Sequence, residues 1–164
     1  IPSIILGLFV YSILVYPFSS FSGLAGGVSL AILMFPVVAR TTEDMLSMVP
    51  NALREAALSI GNPRWLATLS IIFRAAKSGL ITGVLLSVAR VSGETAPLLF
   101  TALNSSYMMK SLNEPLANLT VTIYQYAMSP YDDWNQIAWG ASLLIMIAVL
   151  LLNLAARFVV REKR

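Results

Sequence analysis

Apolar residues in this chain come in long blocks, separated by short polar breaks. Ile4 to Pro17 is apolar or aromatic apart from Ser12. At ~1.5 Å per residue it nearly crosses a ~30 Å hydrocarbon layer, and residues preceding position 1 are expected to complete it. The uncharged, serine-bearing run Phe18 to Gly23 predicts a tight turn. A second span is expected from about Leu24 to Ala39, with Gly26-Gly27 permitting close helix contact and Pro36 kinking its end. The first charge, Arg40, closes it. Thr41 or Thr42 followed by Glu43-Asp44 has the pattern of a new helix start, with a hydroxyl N-cap and acids in the first turn. Pro50 interrupts that helix and another is predicted from about Asn51 to Ile60. Gly61 suits the left-handed position after its end, Asn62 can cap the next helix, and Pro63 fits its first turn.

Beyond this elbow, Arg64 to Ser78 has an amphipathic pattern. Trp65, Leu66, Leu69, Ile72, Phe73 and Ala76 fall on one helical face, and Arg64, Thr68, Arg74 and Lys77 on the other. Such a helix could lie along the headgroup boundary. A third span is expected from Gly79 to about Leu103, unusual in carrying Arg90 and Glu94. Asn104 to Asn135 reads as a long polar connection containing an apolar helical piece near Leu116 to Met128. Pro130, Asp132 and Asp133 mark the turn after it. The last span, about Ile137 to Val159, is the clearest, and Arg157, Arg161, Lys163 and Arg164 gather at its end. The pattern predicts an all-α, polytopic membrane bundle of about four spans.

Composition agrees. Hydrophobic residues make up 57% and charged residues 12% of the 164 residues, with mean hydropathy +0.77. A soluble domain carries roughly twice that share of charge. The chain has no cysteine and no histidine. Disulfides, thiol chemistry and the usual near-neutral general base are therefore excluded. No Gly-Lys-Ser/Thr phosphate loop is present, so the chain is not expected to hydrolyse nucleotide, and neither a catalytic group, a metal site nor a cofactor is expected. Ile1-Pro2-Ser3 opens directly on an apolar run, which suggests a fragment. The segment 40–78 holds Arg40, Arg54, Arg64, Arg74 and Lys77, whereas 104–135 holds Lys110 against Glu114, Asp132 and Asp133. By the positive-inside rule the elbow and the C-terminus are expected in the cytoplasm and 104–135 outside.

Two constellations carry chemistry. The first is Glu55-Ala56-Ala57, followed by Gly61 and later by Ile71, which resembles the EAA loop of ABC importer permeases. In that family the loop is a coupling helix that docks on a cytoplasmic ATPase. Ala56 and Ala57 would let a partner surface approach, Glu55 offers a charge for registration, and Gly61 sets the bend. The family pattern continues with an apolar residue and proline, whereas this chain has Phe73 and Arg74.

The second is Arg90 with Glu94, four residues apart, so on a continuous helix they would share a face and could pair. A charge in mid-membrane costs from about 2.5 kcal/mol upward, and so it usually faces a bundle interior or an aqueous path. The guanidinium fork suits phosphate or another oxyanion. On the residues alone, a buried packing ion pair and an anion path remain equal alternatives. The run Ala89-Arg90-Val91-Ser92-Gly93-Glu94-Thr95-Ala96-Pro97-Leu98-Leu99-Phe100-Thr101 resembles the signature of PstA-type phosphate permeases. Ile1 to Leu8 and Val49 to Ala57 are also similar to that family. The resemblance implies a type I ABC importer permease domain over residues 1–160, lacking its first two spans, with a basic cytoplasmic tail at 161–164, in a bacterial inner membrane. It further implies a PstC-type second permease, a PstB-type ATPase pair, a PstS-type external binding protein and inorganic phosphate as cargo. It also places Arg90, Glu94 and Thr95 on the phosphate path. A permease for sulfate or molybdate, or a membrane scaffold that moves nothing, are the alternatives. Tyr124, Tyr126, Tyr131, Trp134 and Trp139 have the pattern of an interfacial belt. Asp132-Asp133 reads as a solvated turn, and the Asn104 and Asn118 glycosylation patterns as chance.

Overall fold

The computed structural model describes residues 2–107 and 110–161, excluding the side chains of 156, 157 and 159–161. Of the expected tail, Lys163 and Arg164 lie outside these residues, as do the side chains of Arg157 and Arg161.

Seven helices account for the described chain. They are α1 (Ser3–Val15), α2 (Gly23–Ser47), α3 (Asn51–Ser59), α4 (Arg64–Val91), α5 (Ala96–Thr101), α6 (Leu119–Ala127) and α7 (Asp132–Arg161). No strand occurs among the described residues. α2, α4 and α7 are long and apolar enough to cross a membrane, and α1 is a shorter apolar helix. α2 packs against α4, α1 against α2 and α5, and α7 against α4 and α6.

α2 does not close at Arg40, and no helix starts at Thr41 or Thr42. The helix runs through both, with Pro36 inside it. The Thr41 hydroxyl donates to the Val37 carbonyl, 2.9 Å away, one turn back. In apolar surroundings a backbone group has no water to turn to, so continuing the helix satisfies more of them than stopping. Arg40 instead pairs on the helix surface with Glu43 at 3.1 Å and Asp44 at 3.4 Å, exposed contacts of little energetic weight.

Nor does the expected boundary at Ser78 and Gly79 exist. α4 is one helix of 28 residues, about 42 Å long at ~1.5 Å per residue. Its turn Thr68–Ile72 is a π-helix, which takes in an extra residue and so rotates the remainder of α4 about its axis. The amphipathic face read at a period of 3.6 therefore splits. Trp65 and Leu69 are exposed, while Ile72 and Ala76 are buried with Val49 against Met45, Leu46 and Leu80. Glycines let α2 and α4 meet closely: a Cβ added at Gly79 would collide with Met45, and one at Gly83 with Thr41. This pair, four apart, is a small-residue contact that needs no hydrophobic drive. Gly26 makes a similar approach to Ala102, but Gly27 faces open space.

The core is thin and made of small residues. Val10, Val15 and Ala25 form one buried cluster. Ser29, Ser87 and Thr101 are buried, each hydroxyl donating to a carbonyl of its own helix at 2.7 or 2.8 Å. Large apolar residues such as Ile5, Phe9, Leu144 and Leu151 point outward. A bundle that buries little and exposes its big side chains is built for lipid, where packing and internal hydrogen bonds hold helices together.

At the other end, Asp132 and Asp133 open α7 instead of forming a free turn, placing acids at the positive end of its dipole. Trp134 packs at a tilt against Tyr126, with ring centroids 4.8 Å apart, and against Tyr131 at 5.9 Å, closing the α6–α7 hairpin. Tyr124, Tyr131 and Trp139 remain exposed beside it.

Candidate functional site

The expected third span, Gly79 to Leu103, is broken. α4 ends at Val91, and the chain passes through Ser92 to Thr95 before α5 begins. Pro97 is the reason, because it has no N–H to donate and its ring would collide with the carbonyl four residues back. In the first turn of a new helix the same residue fits well, and it stands there in α5. Thr95 is the N-cap, and its carbonyl accepts from Leu98 and Leu99 at 3.1 and 3.2 Å.

The break overturns the expectation that Arg90 and Glu94 share a helix face. Arg90 occupies the last turn of α4, where a cation complements the helix dipole. Glu94 lies in the irregular segment, its N–H donating to the Val91 carbonyl at 3.0 Å. Arg90 and Glu94 form no ion pair with each other or with another described residue; both such pairs belong to Arg40.

What brings Arg90 and Glu94 together is a cavity of about 700 Å³, lined by both of them. Ser3 and Leu6 of α1, and Leu33, Phe35, Pro36 and Val37 of α2, contribute to its walls. One guanidinium, one carboxylate and one hydroxyl thus meet in apolar walls. Among the described residues no carboxylate pairs with the Arg90 guanidinium, an arrangement that can receive a small oxyanion. The carboxylate beside it disfavours a second full negative charge but can accept a hydrogen bond from a protonated one.

Thr95 is not part of that cavity. It lines a second one, about 370 Å³, with Gly93, Thr120, Ile123 and Ser142. There Thr120 donates to the Glu94 carbonyl at 3.2 Å and Ser142 to the Ala138 carbonyl at 2.8 Å. Hydroxyls whose protons are already given present lone pairs, a poor lining for an anion.

At the elbow the sequence expectations meet in one place. Two residues past the end of α3 stands Gly61, whose φ of +85° is the left-handed turn, with open space around it. Pro63, not Asn62, is the N-cap of α4. Glu55 and Ala56 are exposed, whereas Ala57 is buried inside the fold and is not available to a partner. Arg54 ties α3 back to α2, its Nη2 donating to the Leu46 carbonyl at 2.6 Å. Leu53, Leu58 and Ile60 leave an apolar outer surface on and just beyond α3.

Sequence reasoning did not single out Ser3, the Gly79–Gly83 contact or Thr120. The four-residue glycine spacing was a readable signal for the second. The other two act across the fold, and no local pattern marks them.

A polytopic helix bundle with an apolar-walled cavity holding two charged groups at a broken span, and a hinged helix between two spans, is the architecture of a membrane transport component. The chain belongs to the family described as "binding-protein-dependent transport system inner membrane component", whose pattern matches residues 1–162, and so has the type I ABC importer permease fold. It is 55% identical over 163 residues to a Haemophilus influenzae protein named "phosphate transport system permease protein PstA", covering 99% of this chain and 58% of that one. A Pasteurella multocida protein of the same name is 52% identical over 162 residues, with coverage of 99% and 58%. In Methanocaldococcus jannaschii, a "probable phosphate transport system permease protein PstA" is 38% identical over 163 residues, covering 98% and 58%. The chain thus spans 58% of the length of each of these relatives. No solved structure gives a significant match.

Proposed function

We propose that the chain is the membrane-spanning part of a permease subunit in an ATP-driven importer of inorganic phosphate, and that it supplies half of the translocation path. The observation that carries this is the meeting of Arg90 and Glu94 in one cavity at the broken span, with Arg90 free of any protein carboxylate among the described residues. The names of the relatives supply the anion. At an effective dielectric of about 20, Arg90 would offer roughly 4 kcal/mol to an anion 4 Å away. That is enough to ease passage and too little to trap the ion, so selectivity falls to a PstS-type external binding protein. The Glu94 carboxylate accepts a hydrogen bond from the P–OH of hydrogen phosphate, and Thr95 contributes by opening α5 behind the break.

The drive enters at α3. Glu55 and Ala56, with the exposed Leu53 and Leu58, form the surface that docks on a PstB-type ATPase pair; Ala57 and Gly61 hold that helix in place. The basic residues around α3 put this side in the cytoplasm and the loop 104–135 outside a bacterial inner membrane. α4 runs unbroken from the elbow at Arg64 to Arg90, about 39 Å at ~1.5 Å per residue, so a tilt at α3 is delivered to the site by one rod. A PstC-type permease completes the path, and alternating access comes from the two permeases rocking together.

The test is Arg90→Ala in the full-length permease assembled with its partners in proteoliposomes. Phosphate uptake should be lost while the subunits still co-purify. Normal uptake would remove Arg90 from the path, and sulfate or molybdate competing as well as phosphate would change the cargo.

A further inference from the structure

We propose that Thr120 is the positioning residue for Glu94, holding its carboxylate in the cavity with Arg90 from across the fold. This rests on the reading of Arg90 and Glu94 as the anion site. Residues 92–95 lie between two helices, where the N–H groups of Ser92, Gly93 and Glu94 are bonded back to α4 carbonyls and their own carbonyls have no helical ladder to enter. Glu94 is held through both of its backbone polar groups. Its N–H donates to the Val91 carbonyl of α4, and its carbonyl accepts from the Thr120 hydroxyl at the start of α6 at 3.2 Å. This is the nearer of that hydroxyl's two acceptors, the other being Asn118 Oδ1 at 3.4 Å.

Thr120 is buried, and α6 is itself secured there. The Asn118 side chain caps α6 by accepting from the Val121 N–H at 2.9 Å, and its Nδ2 donates to the Leu103 carbonyl at 2.7 Å. The Leu116 N–H reaches the Ala102 carbonyl at 3.3 Å. α6 and its approach therefore grip the break at Glu94 and the far end of α5 at Ala102 and Leu103. The site faces one side of the break, and its support comes from the other: Glu94 lines the first cavity, Thr120 the second. With the hydroxyl removed, a part-buried carbonyl loses its donor and Glu94 is held from the α4 side alone.

Thr120→Val keeps the shape and removes the donor, and Thr120→Ser keeps the donor. In the assembled full-length transporter, the phosphate KM should rise roughly fivefold for Thr120→Val, the factor expected from one net hydrogen bond, and stay within about twofold for Thr120→Ser. Geometry is read separately. These 164 residues hold no cysteine, so in a transporter cleared of cysteines elsewhere Glu94→Cys is the one thiol labelled. Modification by an anionic methanethiosulfonate, drawn to Arg90, should slow about fivefold when Thr120→Val is added and recover with Thr120→Ser. Labelling is done in membranes before purification, so impaired assembly does not hide the answer. An unchanged KM, equal defects in the Val and Ser variants, or unchanged labelling would each overturn the proposal. Failure of the phosphate reading appears elsewhere, as normal uptake by Arg90→Ala, while labelling of Glu94→Cys decides the role of Thr120 whichever anion is carried.

Discussion

Gly7 is where α1 comes closest to the helix beyond the break. A Cβ built there would stand 2.7 Å from the Pro97 Cα and 3.3 Å from its carbonyl oxygen, backbone atoms that cannot swing aside. Ordinary contact begins near 3.4 Å, so Gly7→Ala requires α1 and α5 to part by about 0.7 Å, the difference 3.4 − 2.7. Overpacking of this kind costs about 1–3 kcal/mol, and replacing glycine by alanine within a helix returns up to about 1 kcal/mol. Gly27→Ala is the matched control. It gains the same propensity, and nothing lies within 4 Å of its added Cβ. Subtracting the two variants cancels propensity and leaves about 1–3 kcal/mol from the α1–α5 contact alone. Thermal unfolding of the full-length permease in detergent, followed by tryptophan fluorescence, should show Gly7→Ala melting several degrees below Gly27→Ala. The phosphate KM should rise in Gly7→Ala as well, because Pro97 lies three residues after Glu94 and the cavity wall moves with it. Equal melting temperatures would show that α1 does not meet α5 at Pro97.

Other expected outcomes concern the elbow. Gly61→Val meets no steric obstacle but forces a β-branched residue to φ +85°, at a cost of about 1–2 kcal/mol. Phosphate-stimulated ATPase activity of the assembled complex should fall with uptake, and unchanged activity would argue for a scaffold without a coupling role. Arg54→Met keeps the aliphatic stem and removes the bond to the Leu46 carbonyl, worth about 1.5–3 kcal/mol when the donor is charged. Hydrogen exchange across residues 48–63 should quicken while α7 stays protected; unaltered exchange would show that Arg54 does not anchor α3.

Much of this protein is dictated by local chemistry. Long apolar blocks select helices in lipid, because every backbone polar group must be met internally. Gly61, which takes up a left-handed backbone at no steric cost, marks the elbow as plainly in the sequence as in the fold. The break after Val91 was also written locally, in Gly93 and Pro97, but the apolar run continues past it to Leu103, and hydropathy is blind to hydrogen-bond geometry. The same blindness placed a helix start at Thr41, whose hydroxyl spends its proton on Val37 inside a continuing helix. Spacing put Arg90 and Glu94 on one face, yet the broken ladder separates them and a cavity walled by α1 and α2 reunites them. Tertiary structure alone decided that Thr95 turns to the opposite cavity, that Ala57 is buried while Glu55 is exposed, and that Thr120 reaches Glu94. Periodicity reports which side of its own helix a residue occupies. Which neighbour waits on that side depends on contacts between segments far apart in the chain, and these form only when the helices pack.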